Sequence, residues 1–86
     1  MNPRVQSVVV EPEYTLRLTF TNGEQRRLQM APYLDVPVFR RLRDPAFFAL
    51  ARAAHGTVAW PGGIDFDPDI LYLEGTAVRA GEGSTA

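Results

Sequence analysis

The chain has 86 residues, 45% of them hydrophobic and 22% charged, with a formal net charge of −1; this is the composition of one small globular domain, not of a disordered chain. The absence of cysteine excludes disulfides, zinc–thiolate sites, thiol redox chemistry and a cysteine nucleophile, and a small domain without such staples is expected in the cytoplasm. All nine basic residues are Arg, set against ten acids, so no global field draws in nucleic acid, and Met1–Gln6 does not open a signal peptide or membrane span.

Val5–Val10 reads as a first strand, rich in β-branched residues. Glu11-Pro12-Glu13 breaks it, because proline cannot donate to a ladder. Tyr14–Phe20 then alternates, with Tyr14, Leu16, Leu18 and Phe20 on one face and Thr15, Arg17 and Thr19 on the other. Asn22-Gly23 supplies the positive φ of a tight hairpin turn. Glu24–Met30 returns as a third strand with Leu28 and Met30 inward and Gln25, Arg27 and Gln29 outward. A three-stranded antiparallel meander that is apolar on one face needs a cover.

Short helices are expected to supply it. Pro32 opens a turn over Ala31–Leu34, and Pro37–Arg43 is a short helix placing Val38, Phe39 and Leu42 on one face, with Arg40, Arg41 and Arg43 mostly on the other. Asp44-Pro45 is a cap followed by proline at the first helical position, and the helix it opens carries Phe47 and Phe48. Ala46–Ala54 has high helix propensity. The same stretch also reads as a strand from Phe48, Leu50 and Arg52 that turns at His55-Gly56 into Thr57–Trp60. Periodicity does not choose between them. Trp60-Pro61-Gly62-Gly63 is a sharp turn, Ile64–Phe66 is extended, and Asp67-Pro68 opens a last short helix through Leu71 and Tyr72. The domain is read as 1–79, with a flexible tail at 80–86.

The stretch from Trp60 to Tyr72, with its Trp-Pro, the Gly two residues after the Pro, an Asp, a Pro and Leu-Tyr, resembles the closing signature of a bacterial family catalogued as domain of unknown function 2442. The Tyr14–Phe20 strand, the Asn22-Gly23-Glu24 turn, Val38-Phe39 with Leu42, and Asp44-Pro45 agree with it, so the resemblance runs from about Val5 to Tyr72. It implies a small α+β fold: an antiparallel meander plus a second β-hairpin, covered by short helices. It thereby favours the strand reading of Leu50–Ala54. Relatives of this kind carry no established activity. Some resemble the front half of proteins with a helix-turn-helix domain behind, for which this 86-residue chain leaves no room, and others are encoded beside a second small protein, as toxin–antitoxin pairs are.

No catalytic constellation stands out. Asp65, Asp67 and Asp69 imitate the start of a calcium loop, but Ile70 and Thr76 stand where its Gly and Glu belong. Asp67 is better read as a helix cap, Asp69 as a first-turn acid and Asp65 as a partner for turn amides. His55, the lone histidine, has no orienting carboxylate nearby and reads as a turn residue. Trp60 is either a core lid or a binding anchor. Arg40, Arg41 and Arg43 form either a solvated helix face or a contact for an acidic partner, and Asp35 and Asp44 weaken their field. The first strand, bracketed by Pro3 and Pro12, exposes an edge. The expectation is a non-catalytic protein-interaction module without cofactor, metal or membrane contact. Its partner is a small protein encoded nearby or a second copy, and Trp60, Asp65, Arg40, Arg41 and Arg43 are the candidate contacts. Two alternatives stand beside it: a ligand-sensing domain with a pocket at Trp60, and a nucleic-acid binder using the Arg cluster.

Overall fold

The computed structural model describes residues 2–78; the expected tail at 80–86 lies outside them. Two antiparallel sheets share one core. The first contains β1 (Val5–Glu11), β2 (Thr15–Phe20), β3 (Gln25–Gln29) and β7 (Thr76–Ala77), in that spatial order. The second contains β4 (Arg52–Ala54), β5 (Thr57–Trp60) and β6 (Ile64–Asp65). This is the small α+β architecture expected, a meander and a second hairpin with short helices.

The alternation of β2 sets the core. Leu16, Leu18 and Phe20 are fully buried, and Leu28 of β3 and Met30 just beyond it join them. Leu18 pairs with Val8 on one side and Arg26 on the other, so Val8, Val10 and Arg26 share the inner face. The outer face carries Ser7, Val9, Thr15, Thr19 and Gln29, with Arg17 and Arg27. Val58, Trp60 and Ile64 of the second sheet close the core from below, and Phe48, Leu42, Phe66 and Leu71 plug its sides. Edge-to-face rings tie the plugs to the sheet: Tyr14 to Phe48 at 5.2 Å and Phe20 to Tyr72 at 5.0 Å between centroids.

The turns follow local chemistry. At Asn22-Gly23, Gly23 has φ +86° and the Asn22 side chain accepts from the Glu24 amide at 3.0 Å. His55-Gly56 is a two-residue hairpin turn with both residues at positive φ. Asp44 and Asp67 each accept the amide two residues on, opening α1 (Pro45–Phe48) and α2 (Pro68–Glu74).

Four readings change. Pro37–Arg43 winds as a 3-10 helix, whose three residues per turn bury Leu42 but turn Val38 out, 60% exposed. The strand expected from Leu50 begins at Arg52; Leu50 lies in the turn after α1 and is half exposed. The last helix runs on to Glu74. Beyond it, Thr76–Ala77 adds a fourth strand to the meander, pairing with Arg27 and Arg26. Gly75 permits that return, because a Cβ there would stand 2.8 Å from the Leu71 carbonyl oxygen and 3.0 Å from Arg26 Cβ.

Candidate interaction surface

The five candidate contacts do not converge. Trp60 is 2% exposed, and its Nε1 donates to the Phe48 carbonyl at 3.0 Å. It is a core residue with its polar end satisfied, and it offers no surface to a partner. Asp65 is exposed on β6, opposite Ala59.

The three arginines of the 3-10 helix have separate roles. Arg43 donates to the Leu34 carbonyl at 3.0 Å and to Asp35 at 2.8 Å, and its own carbonyl accepts from the Tyr14 hydroxyl. Arg41 lies over the Phe47 ring at 4.4 Å, with its guanidinium against Gly62. Arg40 alone points to solvent without a partner among the described residues. Two of the three guanidinium groups are thus engaged within the chain, so the run Arg40-Arg41-Arg43 does not become a patch of free charge.

Acids likewise quench the arginines of the sheet. On the outer face Glu11 bridges Arg17 at 3.3 Å and Arg27 at 2.8 Å. On the inner face Arg26 lies 3.9 Å above the Tyr72 ring and donates to Glu24 at 2.6 Å and to the Tyr72 carbonyl. The Tyr72 hydroxyl also reaches Glu24, at 2.8 Å. That hydroxyl, then the Arg26 guanidinium, hold the Glu24 carboxyl below its ordinary value of 4.5. The cluster clamps α2 to the end of β3. No group of three or more His, Asp or Glu residues able to hold a metal occurs among the described residues.

A cleft of about 690 Å³ lies where β3 and β7 meet the Pro32-Tyr33 turn, lined by Glu11, Arg27, Tyr33, Thr76 and Val78 among others. Trp60 is not part of its wall, so this is not the pocket that a ligand-sensing reading placed beside the tryptophan.

What remains is an edge. The amide of Val5 is taken by the Gly56 carbonyl at 2.9 Å, and a register shift between Val5 and Ser7 kinks the strand there. From Ser7 to Glu11 the side of β1 away from β2 makes no backbone hydrogen bond to any described residue. Alternate residues of an edge strand turn their N–H and C=O groups outward. The segment is Ser-Val-Val-Val-Glu, with Val9 47% exposed on the outer face and Val8 and Val10 half-buried on the inner. Sequence reasoning saw that edge but not Val9. The signal was the uncharged valine run between a break at Pro12 and the domain's start. No described helix is long and apolar enough to cross a membrane.

The fold resembles a solved structure, that of a "putative DNA binding protein" from Nitrosomonas europaea ATCC 19718. The TM-score is 0.63 and the identity 29%, over 72% of this chain and 44% of that one. The chain thus spans less than half the length of that protein. Comparison with curated proteins gives no match. Residues 5–77 match the family described as protein of unknown function, DUF2442, and the chain belongs to that family.

Proposed function

We propose that this protein is a non-catalytic interaction module that binds by accepting a strand along β1. The observation that carries the reading is the unpaired backbone of Ser7–Glu11 beside an exposed valine. Main-chain groups there supply affinity to an added strand, and the side chains on either face supply selectivity. The quenched arginines and the buried tryptophan support it by removing the rival contact surfaces. The test is association of the wild-type chain compared with a Val9→Lys variant, either alone or co-expressed with the product of the neighbouring gene. Amides of Ser7–Glu11 are expected to slow in hydrogen exchange on complex formation, and Val9→Lys to abolish the complex. Complexes that form equally well with the lysine in place sink the reading.

A second reading is nucleic-acid contact. It draws on the description of the Nitrosomonas europaea protein, which this chain matches over 44% of its length, and on the exposed Arg40 and Arg41. It requires affinity that falls steeply with salt and that drops when both arginines are replaced by Gln. Binding indifferent to either change rules this surface out.

A further inference from the structure

The tip of the β2–β3 hairpin carries reactive chemistry, and we infer that it is a modification site: Asn22 deamidates through the Gly23 amide, and the acid it leaves loosens β7. The inference is independent of how β1 is used.

The chain has two asparagines, Asn2 and Asn22. Asn2 precedes Pro3, whose nitrogen has no hydrogen to lose and so cannot attack. Asn22 precedes Gly23, whose nitrogen has no Cβ beside it to shield it. Both turn residues are exposed, and a Cβ built at Gly23 would meet nothing within 4 Å, so base and water reach the peptide. No Asp-Gly pair, which passes through the same intermediate, occurs in the sequence.

The reaction needs only base and water. The Gly23 nitrogen gives its proton to the base and attacks Asn22 Cγ. A C–N bond forms, the Cγ–Nδ2 bond breaks, and ammonia leaves with the proton returned by the base. Water then opens the cyclic imide at either carbonyl. Opening at Cγ restores the main chain with an aspartate side chain. Opening at the main-chain carbonyl gives isoaspartate, in which Cβ and Cγ have become part of the main chain.

The native turn slows the first step. The Gly23 amide donates to the Phe20 carbonyl at 2.9 Å, and the Asn22 side-chain oxygen accepts from the Glu24 amide at 3.0 Å. Both bonds must open before nitrogen and carbon meet, whereas the rest of the hairpin can stay closed. Two such bonds make the folded chain on the order of tenfold slower than the unfolded one.

What the product disturbs is specific to this fold. Asn22 Nδ2 donates to Glu24 Oε1 at 3.3 Å, the same oxygen that takes the Tyr72 hydroxyl at 2.8 Å. Deamidation removes that donor and sets a second carboxylate beside the first, so like charges repel at the clamp. Isoaspartate also lengthens the main chain between Phe20 and Glu24, which are joined at 2.9 Å. The next residue, Gln25, accepts the Val78 amide at 2.9 Å, so the displacement reaches the end of β7 directly.

The test is to age the full chain in mildly alkaline buffer, with and without urea, and map its peptides by mass. The amide-to-acid mass gain is expected at Asn22, with Asn2 unchanged, on the order of tenfold slower without urea. In the aged, folded chain exchange at the Val78 amide should rise on the order of tenfold. Exchange at the Leu16–Leu28 pair, at the other end of the hairpin, should not move. An Asn22→Ser variant should pass through the same incubation with Val78 as slow as in fresh protein. A folded chain that never converts while the urea sample does, or one that converts as fast as in urea, overturns the inference. So does full conversion that leaves Val78 exchange unchanged, or an Asn22→Ser chain that loosens to the same extent.

Discussion

At one edge of the four-stranded sheet stands β7, two residues long and pinned from behind. Gly75 lets the chain pass close to Leu71, and the Glu24–Arg26–Tyr72 clamp fixes the helix that delivers it. At the other edge β1 runs seven residues, flanked by β4 and β5, and beyond its kink no described residue gives that side a backbone hydrogen bond. Short edge strands and kinks are the usual means by which sheets avoid unwanted pairing. Here those means are spent on β7 and on the start of β1, which leaves one defined window open.

That contrast can be broken at its centre. Leu18 is fully buried between Val8 and Arg26 and supports both edges. Leu18→Ala should cost about 2–5 kcal/mol in urea unfolding, with amides of β1 and β3 losing exchange protection together. A loss confined to one edge would show that the sheet does not act as a unit.

Gly75→Ala tests the β7 edge alone. The added methyl meets backbone at 2.8 Å, so a loss of about 1–3 kcal/mol is expected, along with faster exchange at the Val78 amide, which donates to Gln25. The window at Ser7–Glu11 should be unaffected. Association through β1 that weakens with it would join the two edges and blunt the comparison.

The turn that ends β1 offers a gain instead. Glu13 and Tyr14 both sit at positive φ, 63° and 56°, where side chains other than glycine are strained. Tyr14 is held there by its ring against Phe48 and by hydrogen bonds from its hydroxyl to Arg43 and from the Met30 amide to its carbonyl. Glu13 makes no comparable side-chain contact, so Glu13→Gly should raise stability by about 0.5–1 kcal/mol. A lower urea midpoint would mean that the glutamate does something else.

The smallest effect is in acid. Tyr72 and Arg26 favour the ionised form of Glu24, so its contribution is complete above its ordinary value of 4.5 and is lost as pH falls through the lower folded value. Exchange at β7 should rise over that window before exchange at β1 does. Glu24→Gln should remove the difference, and a β7 edge that loosens equally in the Gln variant would assign the acid response to another group.

Much of this architecture was legible in residue order. The alternation of β2, the Asn22-Gly23 turn and the Asp44 and Asp67 caps are interactions among residues two to four apart, and local spacing reports them directly. The site was less legible. The triplet Arg40, Arg41 and Arg43 reads as a solvated face or a contact patch, because residue order shows the charges and not what they touch. Asp35 and the Phe47 ring engage two of its members. Trp60 reads as a core lid with a binding anchor as the alternative, and the Phe48 carbonyl at its Nε1 decides for the lid.

Residue order determined which side chains of the strands face inward, because the pleat period is a local property of the backbone. Tertiary structure decided which neighbour each strand receives. Arg26 finds the Tyr72 carbonyl 46 residues away and Glu24 finds the Tyr72 hydroxyl 48 away, and that closure brings β7 to β3. Periodicity carries no information about such pairings, because it records the face of a strand and is silent about its edge.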